Sequence, residues 1–284
     1  MKKLYIDTLG CQMNKSDSER IIGMLGHFGY EQTQDEKEAD LFIVNTCAIR
    51  QLSVDKAYSR LGNWGRIKKD KKAKGESVKI AICGCVAQLE SENIKKKFPY
   101  VDLIFGTRNI FELPDLLKKL DDKRICALDD KPINENDYKI ERAKSINAWL
   151  PIMEGCNNFC SYCVVPYTRG RERSREIEAI VKEAKNILSQ GFREITLLGQ
   201  NVDSYGKNLE NGENFAKLLQ ALDKLDGDFR IRFTSSYPTD ITDEVIETVK
   251  NSKHICECFH IPMQSGNDRV LKEMNRRYNV NQYR

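Results

Sequence analysis

The chain has 284 residues and a net charge of +4, with 40% hydrophobic and 31% charged residues. This is the composition of a soluble globular protein, and no apolar run approaches the roughly 18 residues that a membrane helix needs. The net charge permits nucleic-acid binding without arguing for it, since local patches decide such binding.

The amino terminus carries Lys2 and Lys3 but no long apolar segment and no small-residue cleavage site, so a signal peptide is not expected and the cytoplasm is. The first three βα segments share one plan. Lys3 to Thr8 reads as a strand running into Gly10-Cys11, followed by helical spacing from Ser16 to Phe28. Asp40 to Asn45 reads as a second strand running into Thr46-Cys47, with a helix after it to about Leu61. The basic run Arg66 to Lys74 reads as a solvated loop rather than an RNA contact. Val78 to Ile82 gives a third strand, ending in Cys83-Gly84-Cys85, then a helix to Phe98-Pro99. Val101 to Phe105 gives a fourth. Apolar runs alternating with helical patterns predict a parallel sheet in an α/β fold.

Residues 121 to 145 are polar and read as a linker or a small peripheral strand region, separating a domain over 1–120 from one over 146–284. The second series has expected strands at Trp149 to Glu154, Glu194 to Gly199, Phe229 to Ser235 and Phe259 to Met263, with helices at Glu176 to Gln190 and Phe215 to Leu225. Four strands do not close a barrel, so an open sheet or an incomplete barrel is expected.

Ten cysteines are many for a chain that can build a real core, and metal or redox chemistry explains them better than a disulfide framework. The sharpest pattern is Cys156, Cys160 and Cys163 in one loop directly after a strand. A zinc site wants a fourth ligand at comparable spacing, and none is near. Three thiolates suit a cubane iron–sulfur cluster with one iron open to a small molecule. A second constellation is Cys11, Cys47 and either Cys83 or Cys85. Each ends an expected parallel strand, and in open α/β sheets ligands bind beyond the carboxyl ends of the strands. Buried cysteines at strand ends are also common, which leaves a purely structural reading of this second set open.

The segments TLGCQMN (Thr8 to Asn14), NTCAIR (Asn45 to Arg50), GCVAQ (Gly84 to Gln88) and GCNNFCSYCVVPYTRGRERSR (Gly155 to Arg175) resemble the radical S-adenosylmethionine (SAM) methylthiotransferase family. So do LLGQNVDSYG (Leu197 to Gly206), RFTSSYP (Arg232 to Pro238) and HIPMQSGNDRVL (His260 to Leu271). The resemblance implies an N-terminal parallel-sheet methylthiotransferase domain followed by an incomplete radical SAM (β/α) partial barrel. It implies two 4Fe-4S clusters, one on Cys156, Cys160 and Cys163 and an auxiliary one on Cys11, Cys47 and Cys85, with SAM as the second cofactor. Cys83 is then a buried residue of the third strand, and Cys126, Cys256 and Cys258 are structural.

The implied reaction converts N(6)-dimethylallyladenosine beside the anticodon of tRNA to its 2-methylthio derivative. Relatives acting on threonylcarbamoyladenosine or on a ribosomal protein, and an inactive truncated iron–sulfur binding module, are the alternatives. Tyr162, Gln200, Ser235 and Gln264 are candidate SAM contacts, the last three because they end barrel strands. Arg169, Arg171 and Arg173 are candidate RNA contacts, with a solvated loop as the competing reading. The expected partners are tRNA and a reductant such as a flavodoxin or ferredoxin, with no membrane, and the expected state is a monomer. The resemblance also implies two further βα units and a small RNA-binding TRAM domain beyond Arg284, so the chain is expected to be truncated.

Overall fold

The computed structural model describes residues 1–120, 123–130 and 139–284. The first series begins with β1 (Lys2–Leu9), α1 (Gln12–His27), β2 (Tyr30–Gln32), β3 (Leu41–Thr46) and α2 (Gln51–Ala73). It continues with β4 (Lys79–Gly84), α3 (Cys85–Lys97), β5 (Leu103–Phe105), a 3-10 turn (Thr107–Glu112), α4 (Leu113–Lys118) and β6 (Ile125–Ala127). All six strands are parallel, in the order β2-β1-β3-β4-β5-β6.

Every residue of β3 is buried, as a central strand covered on both faces must be. Phe42 and Val44 face one side, packed with Trp64, Leu61 and Ala57 of α2 and Ile94 of α3. Leu41 and Ile43 face the other, with Ile21 and Leu25 of α1 and Leu113 and Leu116 of α4. Helices therefore cover both faces of one sheet. The Phe42 and Trp64 rings stack at 4.8 Å between centroids, an aromatic contact worth about 0.5–1.5 kcal/mol beyond its buried area.

One expectation changes here. The helix expected to end near Leu61 continues to Ala73, so the basic run is helical instead of a loop. Lys and Arg are good helix formers, and the two half-buried lysines reach partners beside the sheet: Lys68 Nζ pairs with Asp102 at 2.6 Å and Lys71 Nζ donates to Ala39 O at 2.8 Å. The edge strand β2 adds an element with no sequence signal, because one half-buried and two exposed residues carry no periodicity. Within the segment read as a linker or a small peripheral strand region, Ile125–Ala127 joins the first sheet as an edge strand; residues 121–122 and 131–138 of that segment lie outside the described residues. The chain divides into two compact units, Met1–Ala143 and Lys144–Arg284.

The second unit holds β7 (Asn147–Pro151), β8 (Met153–Glu154), α5 (Val165–Thr168), β9 (Arg173–Ser174), α6 (Ile177–Ser189) and β10 (Glu194–Leu198). A 3-10 turn (Val202–Ser204), α7 (Phe215–Asp223), β11 (Arg230–Phe233), α8 (Asp243–Lys250), α9 (Asp268–Glu273) and α10 (Val280–Tyr283) follow. Parallel strands in the order β11-β10-β7 bury Leu150, Ile195, Leu197 and Ile231 against Ile180, Ala184 and Ile187 of α6 and Leu218 and Leu222 of α7. Asn214 and Thr242 cap α7 and α8, each accepting a backbone N–H of the first turn.

The fourth strand expected at Phe259 to Met263 does not form. Past β11 the ladder is reduced to one bridge, Ile231 to Ile255, and Ser235 turns to φ 70°, a left-handed conformation that takes the backbone out of register. The segment stays alongside through Ser236 N–H donating to His260 O at 3.2 Å.

Candidate metal centres

In the first sheet the strand order reverses between β1 and β3, the topological switch point where open α/β sheets bind ligands. Cys11 follows β1 and Cys47 follows β3, one on each side of that point, while Cys85 opens α3 directly after β4. Cys47 and Cys85 are each 5% exposed and Cys11 is half-buried. The Cys47 thiol is hydrogen-bonded first to Cys11 and then to Cys85; those contacts and burial hold it well above the ordinary thiol range. Crowded thiols resist ionising together, and a positive iron centre removes that penalty. Cys83, one residue before Gly84, points into the opposite apolar layer with Ala81 and Phe105. The structure thus separates Cys83 from Cys85, which the residues alone left open.

A buried polar network sets this geometry. Asn14 and Asn45 are fully buried; Asn14 Nδ2 donates to Asn45 Oδ1 at 2.9 Å, and Asn45 Nδ2 donates to Asn14 O at 2.9 Å and Ser18 Oγ at 3.1 Å. Asn14 Oδ1 accepts from Cys11 N–H at 3.2 Å, so the loop after β1 is tied to the end of β3. Gly84 has φ 88°, and a Cβ there would lie 2.4 Å from Thr46 O. Only glycine lets these strand ends approach so closely. Asn14 and Asn45 were missed as positioning residues; the signal available was an asparagine at the end of an otherwise apolar strand.

In the second unit, β8 and β9 pair antiparallel, Met153 with Ser174 and Glu154 with Arg173, and close the base of the loop that carries Cys156, Cys160 and Cys163. Cys156 and Cys160 are 8% and 9% exposed, and Cys163 is half-buried. Burial pushes the Cys156 thiol up to about 11 and raises that of Cys163. Asn157 and Glu172 bind one another across the loop, and Cys156 N–H donates to Gly170 O at 3.1 Å. A segment absent from the sequence reading, Met274 to Tyr278, lies against the same loop: Arg276 Nη1 donates to Cys160 Sγ at 3.3 Å. No local pattern could have revealed a contact across 116 residues.

The donor sets fit iron–sulfur clusters. Around one tetrahedral zinc, thiolates sit about 3.8 Å apart. Among the described residues only the carboxylates of Glu176, Glu178 and Glu213 gather three ligand atoms within 4.8 Å; neither cysteine triad is drawn so tightly. Three thiols per site, not gathered as one zinc would need, are the donor set of an iron–sulfur cluster. None of the ten cysteines forms a disulfide. Cys126 and Cys258 are exposed, so burial does not account for them.

The other candidates are dispersed. Tyr162 is 51% exposed beside the loop, and burial of its hydroxyl end pushes it up to about 12. Gln200 Oε1 accepts from Gly155 N–H at 2.6 Å and so braces the cysteine loop. Ser235 and Gln264 hold φ values of 70° and 67°, a strain of the kind that collects at ligand sites. Arg169 is 3% exposed, which takes it off the surface an RNA would meet. Arg173 is half-buried in the β8–β9 pair, and Arg171 is exposed with its guanidinium 4.4 Å from the Phe159 ring centroid.

Residues 3–106 match the model of an uncharacterized protein family, UPF0004, and residues 150–284 match that of the radical SAM superfamily. The second unit carries a radical SAM domain. Among curated proteins it is 46% identical, over 99% of its length, to the tRNA-2-methylthio-N(6)-dimethylallyladenosine synthases of Acetivibrio thermocellus and Clostridium beijerinckii. It spans 59% and 62% of the lengths of these relatives. Two solved structures share the fold at 13% identity. The radical SAM methyltransferase TsrM from Kitasatospora setae gives a TM-score of 0.68 over 99% of this chain and 64% of its own. The cobalamin-dependent radical enzyme OxsB gives 0.62 over 100% of this chain and 46% of its own. Among the described residues no helix is long and apolar enough to cross a membrane.

Proposed function

We propose that the chain carries the catalytic part of a tRNA methylthiotransferase that places a methylthio group on C2 of N(6)-dimethylallyladenosine beside the anticodon. The observation that carries this reading is the pair of three-cysteine sites, one at the switch point of a parallel sheet and one in a pinned loop after a barrel strand. Radical cleavage of SAM needs one cluster, and a second, sulfur-bearing cluster gives the inserted sulfur a source. When bound, the two clusters and SAM supply a carbon radical able to take hydrogen from adenine and a methylated sulfur to replace it.

The protein's own residues do the positioning. Cys156, Cys160 and Cys163 hold one cluster, with Gln200 and the Asn157–Glu172 pair keeping the loop in shape. Cys11, Cys47 and Cys85 hold the other, oriented by Asn14 and Asn45. Tyr162, Ser235 and Gln264 border SAM in this reading. Arg171, exposed at the edge of the loop, contacts a tRNA phosphate in this reading. Ile49 and Leu52, 65% and 64% exposed just after Cys47, offer apolar surface of the kind a dimethylallyl group buries. The reductant is a flavodoxin- or ferredoxin-type protein, and the chain works as a cytoplasmic monomer.

The test is anaerobic reconstitution with iron and sulfide, then incubation with SAM, dithionite and tRNA bearing dimethylallyladenosine. Nucleoside mass spectrometry should show the 2-methylthio product. Product only from tRNA bearing threonylcarbamoyladenosine would move the substrate assignment. One zinc per chain with no SAM cleavage would end the reading.

A further inference from the structure

We infer that Arg276 tunes the cluster held by Cys156, Cys160 and Cys163, raising its electron affinity through a charge-assisted hydrogen bond to the Cys160 sulfur. The inference rests on the radical SAM reading of this loop and goes beyond it by naming a residue that controls reduction.

Arg276 sits in the turn after α9, and that turn is tied to the cysteine loop without help from the Arg276 side chain. Ser161 N–H donates to Met274 O at 3.1 Å. Asn275 Nδ2 donates to Asn158 O at 3.2 Å and Phe159 O at 2.9 Å, and Arg277 Nη2 donates to Asn157 O at 3.4 Å. Arg277 N–H donates to Tyr237 Oη at 2.9 Å, anchoring the turn from its other side. The position of Arg276 is therefore fixed before its guanidinium makes any contact.

That guanidinium is then fixed in orientation. Its carbon lies 4.2 Å from the Tyr237 ring centroid and 5.0 Å from that of Tyr278, and Nε donates to Tyr278 Oη at 3.1 Å. Nη1 donates to Cys160 Sγ at 3.3 Å. Nη2 is buried and has no partner among the described residues, so one more donor faces whatever acceptor occupies the neighbouring space. Arginine stays charged throughout the physiological range. On the other side of the loop the charge is reversed: Glu172 acts on Cys156.

A donor on a ligating sulfur draws electron density away from iron, and a fixed positive charge favours the more negative, reduced state. Hydrogen bonds to the sulfurs and local charge are among the factors that set cluster potentials. A cluster that must pass an electron into a sulfonium bond has to be reducible by its partner first, and Arg276 makes that first step easier.

The experiment measures the reduced-to-oxidised ratio of each cluster by electron paramagnetic resonance in a mediated redox titration. It uses the reconstituted chain and its Arg276→Leu, Arg276→Gln and Arg276→Lys variants. The expected result is a ratio about tenfold lower in Arg276→Leu at a fixed potential, equivalent to about 59 mV for one electron, with iron content unchanged. The auxiliary cluster in the same sample should not move, and Arg276→Lys should recover most of the loss. An unchanged ratio with full iron overturns the inference. Loss of the loop cluster in both Arg276→Leu and Arg276→Gln also overturns it, by making Arg276 a structural clamp. If the unsubstituted chain assembles no cluster on the loop, the radical SAM reading itself falls and takes the inference with it.

Discussion

Cys156, Cys160 and Cys163 lie within eight residues of one loop, whereas Cys11, Cys47 and Cys85 come from three strand ends spread over the first unit. The loop triad is local: its shape depends on a two-residue strand pair at its base and on side chains that brace it from neighbouring segments. The sheet triad depends on global topology, since its thiols meet only when three strands pair in order and Asn14 and Asn45 lock two of them together. A local site can fail without its domain failing. A site assembled by the sheet shares its fate with the sheet.

The largest effect expected from breaking this contrast is chemical. Cys160→Ala should abolish SAM cleavage to 5′-deoxyadenosine while the auxiliary cluster remains. Cys47→Ala should leave reductive SAM cleavage in place and abolish methylthiolation. Iron analysis, product chromatography and nucleoside mass spectrometry read the two outcomes. If Cys47→Ala also ended SAM cleavage, the two sites would not be separable in function.

The next effect is on stability. Gly84→Ala forces a left-handed backbone on an L-residue and places its Cβ against Thr46 O, so it should cost at least about 2 kcal/mol in denaturant unfolding of the first unit. Gly155 has φ 81° and its Cβ would lie 2.1 Å from Arg171 O, but its neighbours belong to the loop. Gly155→Ala should therefore disturb cluster assembly more than unfolding. Equal unfolding penalties would erase the distinction between a loop-built and a sheet-built site.

The smallest expected effect concerns pH. Asp203, in the turn after β10, is pushed up to about 6 by burial, partly offset by the neighbouring Ser236 hydroxyl and by the Tyr237 N–H, which donates to Oδ2 at 3.2 Å. Its folded value lies above the unfolded one, so the folded chain holds this proton longer. Its contribution is greatest below about pH 4 and is lost as pH rises through about 6, by at most about 3 kcal/mol. Asp203→Asn should flatten unfolding stability across that window. A profile no flatter than that of the unsubstituted chain would show that Asp203 does not couple protonation to folding of the second unit.

Much of the fold could be read from periodicity. The apolar runs that became β1, β3, β4 and β5 alternate with helical patterns, and burial on both faces is what a central parallel strand needs. Periodicity failed where segments were short or polar. β2 and β6 have three residues each, and the basic end of α2 looked like a loop because lysine stems pack along a sheet as readily as they extend into water. Phe259 to Met263 has a strand's composition, but the left-handed turn at Ser235 removes most of its pairing partners.

The sequence by itself determined the loop triad, because ligands a few residues apart are held near one another by the chain whatever surrounds them. It also placed Cys11, Cys47 and Cys85 at strand ends. The resemblance named Cys85 over Cys83, and the tertiary structure supplied the reason, with Cys83 buried in the opposite apolar layer and Cys85 at Cys47; only the tertiary structure decided that Arg276 reaches Cys160. Strand order and a close contact across 116 residues arise from packing, which residue order alone does not encode in any local pattern.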